Sequence, residues 1–98
     1  MATSENSPSS SHPALVRAIE LLSAGDWQSA HTIVQQEKST LAAWLHGIVH
    51  TLEGDLDNAR YWYRRVRRPF PGPEAVATEV ARARQAVEGT SRPGKEQA

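Results

Sequence analysis

Gly25-Asp26-Trp27-Gln28-Ser29-Ala30 and Gly54-Asp55-Leu56-Asp57-Asn58-Ala59 spell one pattern twice: Gly-Asp-(large apolar)-x-x-Ala. Glycine can adopt the left-handed backbone that ends a helix. The Asp that follows can cap the next helix, accepting from its free N–H groups and complementing its dipole. The large side chain is then expected to pack into the corner, and the Ala to let two helices approach closely. Each segment therefore predicts a helix–turn–helix hairpin, and the chain uses that hairpin twice.

Working outward from the turns, the punctuation predicts five helices and no strand. Helix A is expected over about 13–24, opening on Pro13, and helix B over about 27–37. Helix C is expected over about 40–53 after Ser39 or Thr40, and helix D over about 56–68, stopped by Pro69 and Pro71. Helix E, opened by Pro73-Glu74 and closed by Gly89, is expected over about 73–88. The Ser-rich segment 1–12 and the tail 89–98 are expected to be disordered, leaving 13–88 as one helical domain. The fold class expected is all-α.

The chain has 98 residues, with eleven basic and eleven acidic side chains that cancel. That balance supplies no global field to recruit nucleic acid or a membrane. The absence of Cys excludes disulfide scaffolds and thiol-based metal sites, and it fits a reducing compartment. No secretory signal pattern stands at Met1–Ser11, and no apolar run approaches the roughly 18 residues a membrane helix needs. A soluble, cytoplasmic protein is expected.

The doubled hairpin resembles the tetratricopeptide repeat, a unit of roughly 34 residues that pairs two antiparallel helices. Gly47, Gly54, Asp55, Ala59, Tyr63 and Pro71 carry the resemblance in the second unit; Ala18, Leu21, Gly25, Asp26 and Ala30 carry it in the first. Helix E would then stand where such arrays carry a closing helix. The interval from Gly25 to Gly54 is 29 residues, and His46 and His50 replace a Leu-like and an aromatic residue of the family pattern. The resemblance implies a module that binds something, often a peptide. The stretch His46–Arg65 also resembles a group of small helical proteins with no assigned activity, which adds no chemistry.

Three surfaces follow from the helical spacing. Leu15, Ile19 and Leu22 share a face of helix A, as do Leu41, Trp44, Leu45, Ile48 and Leu52 of helix C. A groove that apolar must be covered, because each large side chain left in water forfeits about 1.5–3 kcal/mol. Helix E can cover it by folding back with Val76, Val80, Ala83 and Val87; a second copy or a partner helix can do the same.

His46, His50 and Glu53 share one side of helix C. A His pair at i, i+4 beside a carboxylate can hold zinc or a related ion. No third ligand stands out in the sequence, and Gly47 and Ile48 occupy the place where a metalloprotease helix carries its Glu. His12 and His31 read as isolated. The expectation is a structural role facing helix D, with Tyr63 or Asn58 as partners and no metal or cofactor assigned.

Helix D carries five of the nine Arg, with Leu56, Ala59, Tyr63 and Val66 as its buried stripe and Arg60, Tyr61, Arg64 and Arg68 facing outward. Arginine beside an aromatic can hold phosphates or stack on bases. It can equally form a solvated, salt-bridged face, and a neutral chain is not expected to bind nucleic acid. With Ser and Thr concentrated in the ends and at caps and no thiol, no enzyme is expected. The function expected is a non-enzymatic interaction or assembly module, acting on itself as a homodimer or on a protein partner. Trp44, Tyr61, Trp62, Arg64 and Arg68 are its expected contact residues, in the class that dominates interface energetics. Metal binding by the His-x-x-x-His helix, and anion or RNA binding by helix D, are the alternatives.

Overall fold

The doubled Gly-Asp pattern forms the turns it predicts. In the computed structural model, which describes residues 11–90 with side chains from 13 to 88, α1 spans Ser11–Ser23 and α2 spans Trp27–Val34. Helix α3 spans Thr40–Glu53, α4 spans Leu56–Arg65, and a 3-10 turn at Pro73–Ala75 leads into α5, Val76–Thr90. The described part is all-α, with five α-helices and no strand. Residues 1–10 and 91–98, and so most of the two segments expected to be disordered, lie outside the described residues.

Gly25 and Gly54 sit at φ 84° and 94°, the left-handed conformation that glycine takes without strain. Asp26 accepts from the Ser29 N–H at 3.1 Å and Asp55 from the Asn58 N–H at 3.3 Å, capping α2 and α4. Ser39 caps α3 in the same way, through Ala42. Ala30 and Ala59 are fully buried, as close approach of the paired helices requires.

Two helices end earlier than their patterns predict. Helix α2 stops at Val34, its last buried residue, because no apolar side chain follows it before Leu41. Helix α4 stops at Arg65: Pro69 disfavours helical backbone at Arg68, and Arg67 has already turned to φ 60°.

Helix α3 is the centre of the fold. It packs against α1, α2, α4 and α5, and every residue from Trp44 to Thr51 is buried. Leu15, Ile19 and Leu22 of α1 meet Leu45 and Ile48 of α3 in one core, and α5 closes it with Val80, Ala83 and Val87. Helix E thus folds back onto the groove, with Arg84 also donating to Ser23 of α1 at 3.0 Å. Trp44 belongs to this core at 3% exposure, so it is a buried residue and not a surface one available for contact. Among the described residues no helix is long and apolar enough to cross a membrane.

Gly47 of α3 lies directly against Tyr63 and Trp62 of α4. A Cβ built there would lie 2.7 Å from Cδ1 and 2.8 Å from Cε1 of the Tyr63 ring. That ring cannot swing away cheaply, because its hydroxyl is held by Glu79 at 2.6 Å. Gly47→Ala is therefore expected to destabilise the protein by about 1–2 kcal/mol, overpacking outweighing the roughly 1 kcal/mol that Ala gains in helix propensity. Urea denaturation measures it, and a stabilised variant would contradict the close approach.

Candidate metal centre

The second face of α3, away from the apolar core, carries His46 and His50 against α2 and α4. His31 of α2 joins them. One ring nitrogen from each of the three imidazoles lies within 4.8 Å of the others. The His31 and His46 Nε2 atoms are 3.1 Å apart, and the ring centroids of the three residues are separated by 4.8, 4.9 and 5.3 Å. His31 is therefore not isolated, as its place in the sequence suggests. The α2–α3 connection folds α2 against α3, and that brings a residue fifteen positions away into line with His46.

Glu53 has a different place from the one its spacing suggests. Its Oε1 lies 2.7 Å from His50 Nδ1. A carboxylate on Nδ1 fixes the tautomer and leaves Nε2 as the lone pair of His50, an arrangement that usually stands behind a metal-bound imidazole. Asp55 completes a second group with His50 and Glu53, but both acids are exposed, and Asp55 already caps α4.

The partners expected for the His pair on helix D also change. Tyr63 turns to Glu79 and Asn58 to Asp55, while Trp62 stacks on His46 with centroids 4.0 Å apart and planes 8° from parallel. The Arg65 guanidinium lies 5.2 Å from the Trp62 ring and donates to the Tyr61 hydroxyl at 3.2 Å. His46 also borders an open cavity of about 580 Å³, shared with Trp62, Arg65, Ala43 and Lys38. Among the five expected contact residues, Tyr61, Arg64 and Arg68 are exposed, Trp62 is half-buried against His46, and Trp44 is inside.

Burial first, and then the neighbouring His50 and His31, lower the His46 pKa from its ordinary 6.5 to about 4. His46 is thus neutral at pH 7, and with one imidazole donating and the other accepting, His31 and His46 form an N–H···N hydrogen bond when no ion is present. The unfolded chain protonates His46 near pH 6.5, so between pH 6.5 and 4 it binds more protons than the folded one. Stability of the metal-free protein is expected to fall as pH drops through that window, by up to about 3 kcal/mol, with the loss complete below the lower value. Denaturation in chelator at three pH values measures it. His46→Gln should flatten the profile, and an unchanged slope in that variant would contradict the assignment.

Compared with family models, with curated proteins and with solved structures, the chain matches none.

Proposed function

We propose that this protein binds a divalent transition-metal ion, zinc above all, through His31, His46 and His50. The observation that carries the reading is the convergence of three imidazole nitrogens within 4.8 Å from two helices. Two ligands of a tetrahedral zinc with Zn–N near 2.0–2.1 Å stand about 3.3 Å apart. The 3.1 Å between His31 and His46 Nε2 is close to that edge, so a modest movement of His50 closes the site. Neutral imidazole is the form a metal needs, which suits the low pKa of His46, and Glu53 supports His50 from behind. Imidazoles suit zinc, copper, nickel and iron, and a three-ligand zinc site leaves a fourth position for water or another donor.

The interaction module suggested by the tetratricopeptide-like pattern rested on the burial a small core gains from a partner and on Trp44, Tyr61, Trp62, Arg64 and Arg68 as contacts. Helix α5 covers the apolar face, Trp44 is buried, and Tyr61 is the one exposed large hydrophobic side chain among the described residues. The metal reading therefore has the stronger geometric support.

The test is a zinc and cobalt titration of tag-free, chelator-stripped protein. One ion per chain is expected, with the absorption of tetrahedral cobalt. His31→Ala is expected to weaken binding at least about a hundredfold while far-UV circular dichroism stays unchanged. Equal affinity in wild type and His31→Ala, or far less than one ion per chain, would overturn the reading.

A further inference from the structure

Three helices of this protein end on the same hydrogen-bond motif. At the end of α1 the Asp26 N–H donates to Leu21 O and the Gly25 N–H to Leu22 O; at the end of α3 the Asp55 N–H donates to His50 O and the Gly54 N–H to Thr51 O. At the end of α4 the Arg68 N–H donates to Tyr63 O and the Arg67 N–H to Arg64 O, both at 3.0 Å. Each motif needs one residue with left-handed backbone, normally glycine. The first two positions are Gly25 and Gly54. The third is Arg67, at φ 60° the one non-glycine residue with positive φ among the described residues.

A side chain at such a position strains the backbone, and strain of this kind collects where a side chain has a task. The dipole of α4 explains why cations are welcome near its C-terminus. It does not explain why the position that favours glycine carries one of them. The surroundings of Arg67 do. Together with Arg60, Arg64, Arg68, Tyr63 and Phe70 it lines an open cavity of about 470 Å³. Among the described residues, these four guanidinium groups have a single ion-pair carboxylate, Asp57, 3.3 Å from Arg60. Glu79 lies beneath, but its Oε1 is engaged by Trp44 and Tyr63. The Arg68 Cζ lies 3.6 Å from the centre of the Trp44 ring and that of Arg60 5.3 Å from the centre of the Phe70 ring, so aromatic faces hold two of the cations in place.

Like charges gathered this way repel one another, and a multiply charged anion relieves them. Guanidinium forks match the oxygens of phosphate bidentately. The cavity falls within the size range of small-molecule sites, about 300–1,000 Å³. The neutral chain, with Glu53, Asp55 and Asp57 at the other end of the same hairpin, argues against an extended nucleic-acid track. We propose that the pocket formed by Arg60, Arg64, Arg67 and Arg68 binds a small, multiply charged phosphate compound, with Arg67 held in a strained backbone to complete it. The site is independent of the three histidines.

The test uses metal-free full-length protein and two probes, inorganic tripolyphosphate and a nucleoside triphosphate, followed by calorimetry and by Trp fluorescence. Saturable binding that weakens with added salt is expected. Arg67→Gly is expected to raise the melting temperature without ligand by about 3–6 °C and to lower affinity at least about tenfold. Arg64→Ala should lower affinity without the stability gain. Failure of both probes to bind would overturn the phosphate assignment. So would equal affinity in wild type and Arg67→Gly, or binding of a short single-stranded RNA with neither small probe bound.

Discussion

Replacing Glu79 by Ala is expected to lower the stability of this protein by about 3 kcal/mol, a large share of what a domain of this size possesses. Glu79 is 7% exposed, and its Oε1 accepts from both Trp44 Nε1–H at 3.0 Å and the Tyr63 hydroxyl at 2.6 Å. One oxygen of α5 thereby ties α3 and α4 together from inside the core. Burial, and behind it the hydrogen bond and charge of Glu79, push the Tyr63 hydroxyl well above the ordinary phenol range, so it is a donor at neutral pH. Removing the acceptor leaves two buried donors unpaired, at about 1–3 kcal/mol each, less whatever water can enter the gap. For a domain of this length the loss corresponds to a fall in melting temperature of about 10–20 °C. Glu79→Gln keeps an acceptor oxygen of the same reach and should cost less than half as much. Differential scanning calorimetry of both variants decides. A loss under about 1 kcal/mol in Glu79→Ala would mean that the apolar stripe of α5 holds the helix without its polar anchor.

Saturating zinc is expected to raise the melting temperature of the stripped protein by more than about 10 °C, the second large effect. A ligand that binds only the folded state stabilises it by RT ln(1 + [L]/Kd), which is about 4 kcal/mol at a thousand times Kd. The three ligands come from α2 and α3, so the ion would clamp two elements that otherwise meet through modest side chains, such as Ala30 and Val34 against α3. The effect should shrink as pH falls towards about 4, where protons take the His46 nitrogen that the ion needs. His50→Ala should abolish it. Glu53→Gln should retain binding but weaken it about 10–100-fold, the usual effect of losing the carboxylate behind a ligating His. A melting temperature unmoved by zinc in wild type, at concentrations that saturate a micromolar site, would remove the metal reading.

The doubled Gly-Asp pattern made the helical architecture legible because turn chemistry is local. Left-handed glycine and a capping Asp act within a few residues of themselves, so Gly25, Asp26, Gly54 and Asp55 take the places their neighbours in sequence require. The fold-back of α5 was legible for a related reason. Val76, Val80, Ala83 and Val87 recur at helical spacing, and an apolar stripe has to be buried. Glu79 lies on that same face, and its position could have been read from the period. Its charge concealed it, since a carboxylate is ordinarily a surface residue unless buried donors await it. Arg67 was legible as one of the five Arg of helix D, but not as the counterpart of Gly25 and Gly54.

The candidate centre divides along the same line. The spacing of His46, His50 and Glu53 places them on one side of α3, because a single helix fixes which of its own residues are neighbours. His31 belongs to another helix, and its distance from His46 depends on how α2 packs against α3, a relation between elements with no local signature. Local sequence set the existence and order of the five helices, the Gly-Asp turns with their caps, and the apolar faces, all through interactions within a few residues, though not where α2 and α4 end. The tertiary structure alone decided that a third imidazole meets the pair, that Glu79 joins Trp44 to Tyr63, and that four arginines share a pocket, because those contacts exist only once the helices are docked.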